Sequence, residues 1–213
     1  MLHEREMRAI QTHVCSNSDA PGATMRSLLL IAASVIHVGF RLAYFFYIGL
    51  TLKWRHARDD EASYSDWLRF KKEASFILNV DGLTLGLVTV LSAASLKLPM
   101  SFEWTVVMGI ILICAGIGVK LAAYRVVGDK GYYWYNFFCG DHEREYTARG
   151  VYRYLDNPMY TFGYLHAFGF PLVFRSLWGL VFALFDWLII LAFHYYFERP
   201  HTTFHREREM RLN

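Results

Sequence analysis

The chain has 213 residues and a net charge of +3, with 54% hydrophobic, 17% aromatic and only 19% charged residues. Mean hydropathy is +0.20, and the apolar residues are gathered into long runs. These figures exclude a disordered chain and a coiled coil, three scattered cysteines exclude a disulfide framework or a CxxC metal site, and so small a charge excludes a nucleic-acid partner.

Residues 1–26 form a polar segment that carries His, Glu and Arg without an apolar core, so no secretory signal is expected there. A bilayer core about 30 Å thick needs roughly 20 apolar residues per helix. Ser27 to Leu52, Ser75 to Leu98 and Phe102 to Val127 meet that length, with Pro99 in the short turn between the second and third. The apolar block from Met159 to Phe197 is too long for one helix, and Pro171, Arg175 and Gly179 near its middle divide it into a tight hairpin. The expected fold is an all-α integral membrane protein of about five transmembrane helices, the last two a hairpin. Its parts are the N-terminal segment 1–26, three spans in 27–127, an interfacial segment 128–158, the hairpin 159–197 and a C-terminal segment and tail 198–213.

Lys and Arg set the orientation. The first loop, third loop and tail hold fourteen, against five in the N-terminal segment, second loop and hairpin turn. Those richer parts are expected in the cytoplasm and the N-terminus outside, whether the membrane is a bacterial plasma membrane or the endoplasmic reticulum. Tyr132 to Phe138 is a dense aromatic patch, either an anchor belt at headgroup level or the floor of a site that meets lipid headgroups.

Five ionisable residues fall inside spans: Arg41, Asp81, Lys120, His166 and Asp186. Such groups face a partner or a wet cavity. At a rise of about 1.5 Å per residue, Asp81, Lys120 and His166 lie roughly 9–11 Å from the cytoplasmic ends of their spans, and Arg41 and Asp186 near 16 Å. Matching depths predict the ion pairs Asp81–Lys120 and Arg41–Asp186. These either pin helices together or, with Asp81 and His166, border a substrate cavity.

Three polar signals remain, all expected at the cytoplasmic ends of spans. Gly116-Ile-Gly118 lacks the strand–turn–helix setting of a dinucleotide site and reads by itself as a close-packing helix surface. Arg149-Gly-Val-Tyr-Arg-Tyr-Leu-Asp-Asn-Pro-Met-Tyr160 places Pro158 in a first helical turn with Asp156 or Asn157 as cap, and a helix N-terminus offers free amides to a carboxylate. Glu198 in Glu198-Arg-Pro-His201 opposes the dipole of the helix it ends, which calls for another reason to be there, such as a bound cation.

The stretch TARGVYRYLDNPMY resembles the corresponding region of the membrane-embedded methyltransferases related to isoprenylcysteine carboxyl methyltransferase. Asp156-Asn-Pro-Met-Tyr160 is closer to the version in phosphatidylethanolamine N-methyltransferases, whose GxG motif is matched by Gly116 and Gly118. Glu198 matches the first residue of that family's Glu-Glu pair, while Arg199 stands in place of the second. The resemblance runs from Gly116 to the C-terminus and implies S-adenosylmethionine as cofactor, held by Gly116, Gly118, Asn157, Pro158, Met159, Tyr160, Glu198 and Arg199. It also implies methyl transfer to the amine headgroup of a phospholipid, with an isoprenylcysteine carboxyl group or small thiol as the alternative acceptor and a non-catalytic scaffold as the alternative class.

A lipid ammonium must lose a proton before it attacks, and Asp156, His166 and His201 are the candidate acceptors. Asp81, Tyr152 and Tyr154 are the candidate contacts to substrate, the tyrosines through their aromatic faces. A membrane lipid is the expected partner, a homodimer is left open, and no metal is expected. The charged tail reads as a solvated helical extension, or as a lid in which Glu207 or Glu209 replaces the missing second Glu.

Overall fold

The structure, a computed structural model, describes residues 21–57, 64–139, 150–155 and 157–200. Regular structure among them is entirely helical: α1 (Pro21–Ala43), α2 (Gly49–Ala57), α3 (Tyr64–Leu91), α4 (Phe102–Tyr132), α5 (Leu165–Val173) and α6 (Leu177–Phe193). α1 runs into α2 through a π-helical turn, Tyr44–Ile48, and α6 continues through a second one, His194–Glu198. Short 3₁₀ turns sit at Tyr135–Phe137, Gly150–Arg153 and Phe162–Tyr164.

Among the described residues, four helical stretches are long and apolar enough to cross a membrane: Gly22–Arg55, Tyr64–Leu91, Phe102–Phe137 and Leu177–Glu198. Their outer faces carry bare aliphatic side chains, with Val35 67%, Leu83 73% and Ile111 59% exposed. Apolar surface on that scale belongs against lipid. The protein is an all-α integral membrane protein. The first arm of the hairpin is the short apolar helix Phe162–Val173, and α5 alone spans only about 14 Å.

Helix limits depart from the lengths read off hydropathy. α3 begins at Tyr64 instead of Ser75 and ends at Leu91 instead of Leu98. Its first turns include Arg69, Lys71 and Lys72, which hydropathy assigns to a loop. They are helical because Trp67, Phe70 and Ala74 of the same turns are buried in a core. That core lies at one end of the bundle, where Tyr44, Ile48 and Leu52 meet Trp67 and Phe70, Trp134 to Phe138, and Ile190 and Phe193.

α4 and α5 approach closely because both present glycine at the contact. A Cβ on Gly109 would stand 2.7 Å from the Gly169 carbonyl oxygen, and one on Gly169 would stand 2.5 Å from that of Gly109. Small residues admit such backbone contact between membrane helices. At the other end of the bundle the hairpin turns at Phe174–Ser176, with Arg175 in left-handed conformation (φ 47°). Its turn is tied to the segment after α3 by Ala94 N–H to Phe174 O (3.0 Å), Leu96 N–H to Arg175 O (2.8 Å) and Ser92 Oγ to Ser176 Oγ (2.6 Å). Ser176 caps α6 by accepting from Gly179 N–H at 2.9 Å.

Candidate functional site

Glu198 stands at the end of the second π turn, and its carboxylate is held by three segments of chain. Oε1 accepts from the Trp134 indole N–H at 2.5 Å and from the Tyr160 hydroxyl at 2.6 Å. Oε2 pairs with His194 Nδ1, one π turn earlier, at 2.7 Å. Among the described residues no Lys or Arg lies within ion-pair distance of it; His194 is its one partner able to carry positive charge. Glu198 Oε1 is thus oriented by two neutral donors, and Oε2 by a histidine. Burial, and then the neighbouring Glu198 carboxylate, push the Tyr160 hydroxyl well above its ordinary value, so it stays protonated and donates.

Local folding puts these donors in place. α4 bends at Gly128 (φ 62°), and the chain leaves it through Trp134, whose own backbone is left-handed (φ 52°, ψ 38°). The aromatic patch turns inward as a result: Trp134, Tyr135, Phe137 and Phe138 are buried against α3 and α6. Trp67 fixes the bend by donating its indole N–H to Tyr133 O at 3.0 Å. Four buried rings do not suit a lipid-facing anchor belt. The two π turns also meet, since Phe45 packs edge-on against Phe197 at 5.3 Å, and Tyr44 lies against Phe193 at the end of α6 at 4.6 Å.

The segment from Asn157 to His166 runs from Glu198 to the glycine pair. Tyr160 touches Glu198, and the backbone at Leu165 and His166 lies on Gly116, where a Cβ would come 2.3 Å from His166 N. Gly116 is thus a packing residue. Gly118, two residues on and nearly opposite, has nothing within 4 Å of where its Cβ would stand. Pro158 is buried and Asn157 Oδ1 accepts from Tyr160 N–H at 3.4 Å, as expected of a cap. The amides of Thr161, Gly163 and Tyr164 bond to Asn157, Pro158 and Thr161 carbonyls. With Tyr160, they are used inside the turn, so the expectation that this turn offers free amides to a carboxylate fails at those four positions. His166 Nδ1 lies 2.7 Å from Gly163 O; a carbonyl only accepts, so Nδ1 carries a hydrogen and Nε2 is the nitrogen left to take a proton.

A second polar group lies deeper in the bundle. Arg41 bridges two carboxylates, with Nη2 2.5 Å from Asp81 Oδ2 and Nε 2.8 Å from Asp186 Oδ1. The Arg41–Asp186 pair matches the depth argument. Asp81 pairs with Arg41 and not with Lys120, because the true start of α3 shifts every depth counted from Ser75, and helix rotation turns Asp81 toward α1. His37, one turn before Arg41, completes the group, with Nδ1 3.0 Å from Thr84 Oγ1 and Nε2 3.2 Å from Asp186 Oδ1. Sequence reasoning passed over His37, although its spacing of four from Arg41 puts both on one helix face. It also passed over Trp134 and His194; the latter's spacing of four from Glu198 was a readable signal.

The remaining candidates are placed as follows. Met159 is half-buried in the turn beside Pro158. Tyr152 is half-buried and Tyr154 is 79% exposed, and among the described contacts neither reaches Glu198. Arg199 lies over the Tyr195 ring at 5.7 Å. Asp156, His201 and the tail with Glu207 and Glu209 lie outside the described residues. An open groove of about 540 Å³ runs along the first π turn and α2, lined by Phe46, Tyr47, Leu50, Thr51, Trp54 and Arg55, and shares no residue with either polar group.

Residues 104–205 match the family model described as phospholipid methyltransferase. The chain is 35% identical over 139 residues to a phosphatidylethanolamine N-methyltransferase of Saccharomyces cerevisiae (strain RM11-1a), covering 63% of this chain and 15% of that protein. Proteins with the same name from Lodderomyces elongisporus and Candida dubliniensis are 31% and 32% identical over 143 and 148 residues, each match covering 65% of this chain and 16% of the relative. The chain spans about one-sixth of the length of these relatives. No solved structure matches. The sequence matches bear out the family resemblance, and the stretch 104–205 contains Gly116, Gly118, the DNPMY turn and Glu198.

Proposed function

We propose that this protein transfers a methyl group from S-adenosylmethionine to the amine headgroup of a phospholipid, phosphatidylethanolamine or its methylated intermediates, at the cytoplasmic face of its membrane. The observation that carries the reading is Glu198, a carboxylate oriented by Trp134, Tyr160 and His194, with no Lys or Arg at ion-pair distance among the described residues. A site built that way accepts a cation, and both the methyl donor and the lipid amine are cationic. Family similarity over residues 104–205 supplies the reaction class.

The donor set fits the cofactor in part. Glu198 would counter its positive charge, the open face at Gly118 would admit it close to the α4 backbone, and Asn157 to Tyr160 would line one side. Bound S-adenosylmethionine supplies an electrophilic methyl group. What the protein must add is chiefly orientation, a neutral amine held about 3–3.5 Å from that methyl in line with the leaving sulfur. His166 is the candidate that the described residues offer as acceptor of the ammonium proton, through Nε2.

The test is transfer of labelled methyl from S-adenosylmethionine into lipid by purified protein in mixed micelles, with thin-layer separation of products. Label in mono-, di- or trimethylated ethanolamine lipid is the expected result. Label that appears only with added prenyl-cysteine or a thiol, or no transfer at all alongside no cofactor binding, overturns it.

A further inference from the structure

We propose that Trp134 is a positioning residue of the cofactor site, which together with Tyr160 presets the Glu198 carboxylate to receive the cationic end of the methyl donor. The inference rests on the methyltransferase reading and adds a residue that no motif contains.

Trp134 is spent in a way that its neighbours are not. An indole in a run of interfacial aromatics ordinarily sits at headgroup level with its N–H toward water. Here it is 7% exposed, lies between the rings of Phe70 (6.2 Å) and Phe193 (5.5 Å), and gives its single N–H to a carboxylate 64 residues away. Its backbone is left-handed, a conformation that favours Gly or Asn. Were the position only a chain reversal, a smaller residue would serve it without strain. The reversal delivers this side chain to Glu198, and strain tolerated at such a point marks a functional constraint.

The chemistry of the donors matters as much as their number. Trp134 and Tyr160 both bond the same oxygen, Oε1, and they come from opposite ends of the interfacial segment. An indole N–H and a phenol O–H fix a carboxylate's direction while leaving its full negative charge available. An arginine or lysine in their place would fix it and also cancel it, removing the attraction for a cation. Hydrogen bonds to a charged group inside a low-dielectric site are the strong ones, so losing either donor should loosen the carboxylate measurably.

The test pairs Trp134→Phe with Tyr160→Phe, each of which keeps an aromatic ring and removes one donor. Binding of S-adenosylmethionine and of S-adenosylhomocysteine, which lacks the sulfonium charge, is measured by calorimetry on the detergent-solubilised full chain, with kcat and KM for both substrates. The expected result is about a tenfold rise in Kd and KM for S-adenosylmethionine in either variant, equal to about 1.4 kcal/mol, with KM for the lipid unchanged. On a Glu198→Gln background, Trp134→Phe should add nothing, because its effect passes through that carboxylate. Rises for S-adenosylmethionine alone would put the clamp at the sulfur, and rises for both ligands at the α-ammonium. Unchanged Kd and KM with a lowered Tm would make the indole a packing residue and overturn the proposal. Should Trp134→Phe fail to fold, Tyr160→Phe with unchanged affinity overturns it equally. Wild-type protein that neither binds nor transfers methyl would instead sink the methyltransferase reading.

Discussion

The Arg41 group inside the bundle is built around two buried carboxylates and the Glu198 group at its end around a half-buried one, and they treat negative charge in different ways. Inside, two carboxylates from α3 and α6 are answered by one guanidinium from α1, with His37 and Tyr164 filling in around it. At the end, one carboxylate takes neutral donors from Trp134 and Tyr160 on one oxygen and pairs with His194 on the other, with no Lys or Arg at ion-pair distance among the described residues. Two carboxylates tied to one fixed guanidinium lock three helices together. A charge that is oriented but unmatched waits for a ligand. On the proposed function the inner group serves architecture and the outer one chemistry, although both look alike in sequence as ionisable residues in apolar runs.

The largest expected effect tests the inner half of that contrast. Arg41→Met strands two buried carboxylates and should destabilise the protein by about 3–5 kcal/mol, the usual cost of breaking a buried pair from one side. Adding Asp81→Asn and Asp186→Asn to Arg41→Met should recover most of it, and thermal unfolding in detergent measures both steps. A triple variant that regains stability yet binds no cofactor would move the inner group into the site.

Glu198→Gln comes next and should do the reverse. It should raise Kd for S-adenosylmethionine by about a hundredfold, or about 2.7 kcal/mol, while Tm shifts little, because an amide can keep the bonds from Trp134 and Tyr160. Equal loss of stability and affinity would mean that Glu198 is as architectural as Arg41.

How much of this contrast can be read from sequence follows from what each feature depends on. Span existence rests on run length, so the helices and the hairpin turn near Arg175 are legible. The Arg41–Asp186 pair is legible because depth alone matches its partners. Asp81 is misplaced by the same reasoning, since depth counted from Ser75 ignores eleven helical residues whose helicity comes from tertiary burial of Trp67 and Phe70. Trp134 is illegible because its role hangs on a left-handed backbone and on a bend at Gly128, and an aromatic run carries no sign of either. Glu198 was visible as a helix-end acid out of place, but the donors that explain it lie 64, 38 and 4 residues away.

The two glycines of the GxG divide along the same line and offer a smaller effect. Gly116→Ala should cost about 1–3 kcal/mol of stability, because backbone at His166 stands where the methyl would go. Gly118→Ala meets nothing, so its stability should stay within about 0.5 kcal/mol of wild type. A few-fold rise in KM for S-adenosylmethionine in Gly118→Ala, with Tm intact, would then report a ligand on that face directly. Unchanged kinetics there would leave the motif as a packing surface alone.

The smallest expected effect lies in the pH profile, and it asks whether the donors to Glu198 are neutral. Burial first, and the adjoining carboxylate second, hold the Tyr160 hydroxyl well above the ordinary phenol value of 10.0. A folded-state value above the unfolded one contributes stability that is fully present below about pH 10 and is lost only as pH rises through the folded value. Tyr160 should therefore produce no fall in cofactor affinity between pH 8 and 10, and wild type and Tyr160→Phe should show parallel profiles there, offset but of one shape. A drop near pH 10 in wild type that Tyr160→Phe abolishes would mean the phenol ionises beside Glu198. Two anions would then share the site, and the distinction between an oriented charge and a matched one would have to be redrawn with the bound cation as part of the fold.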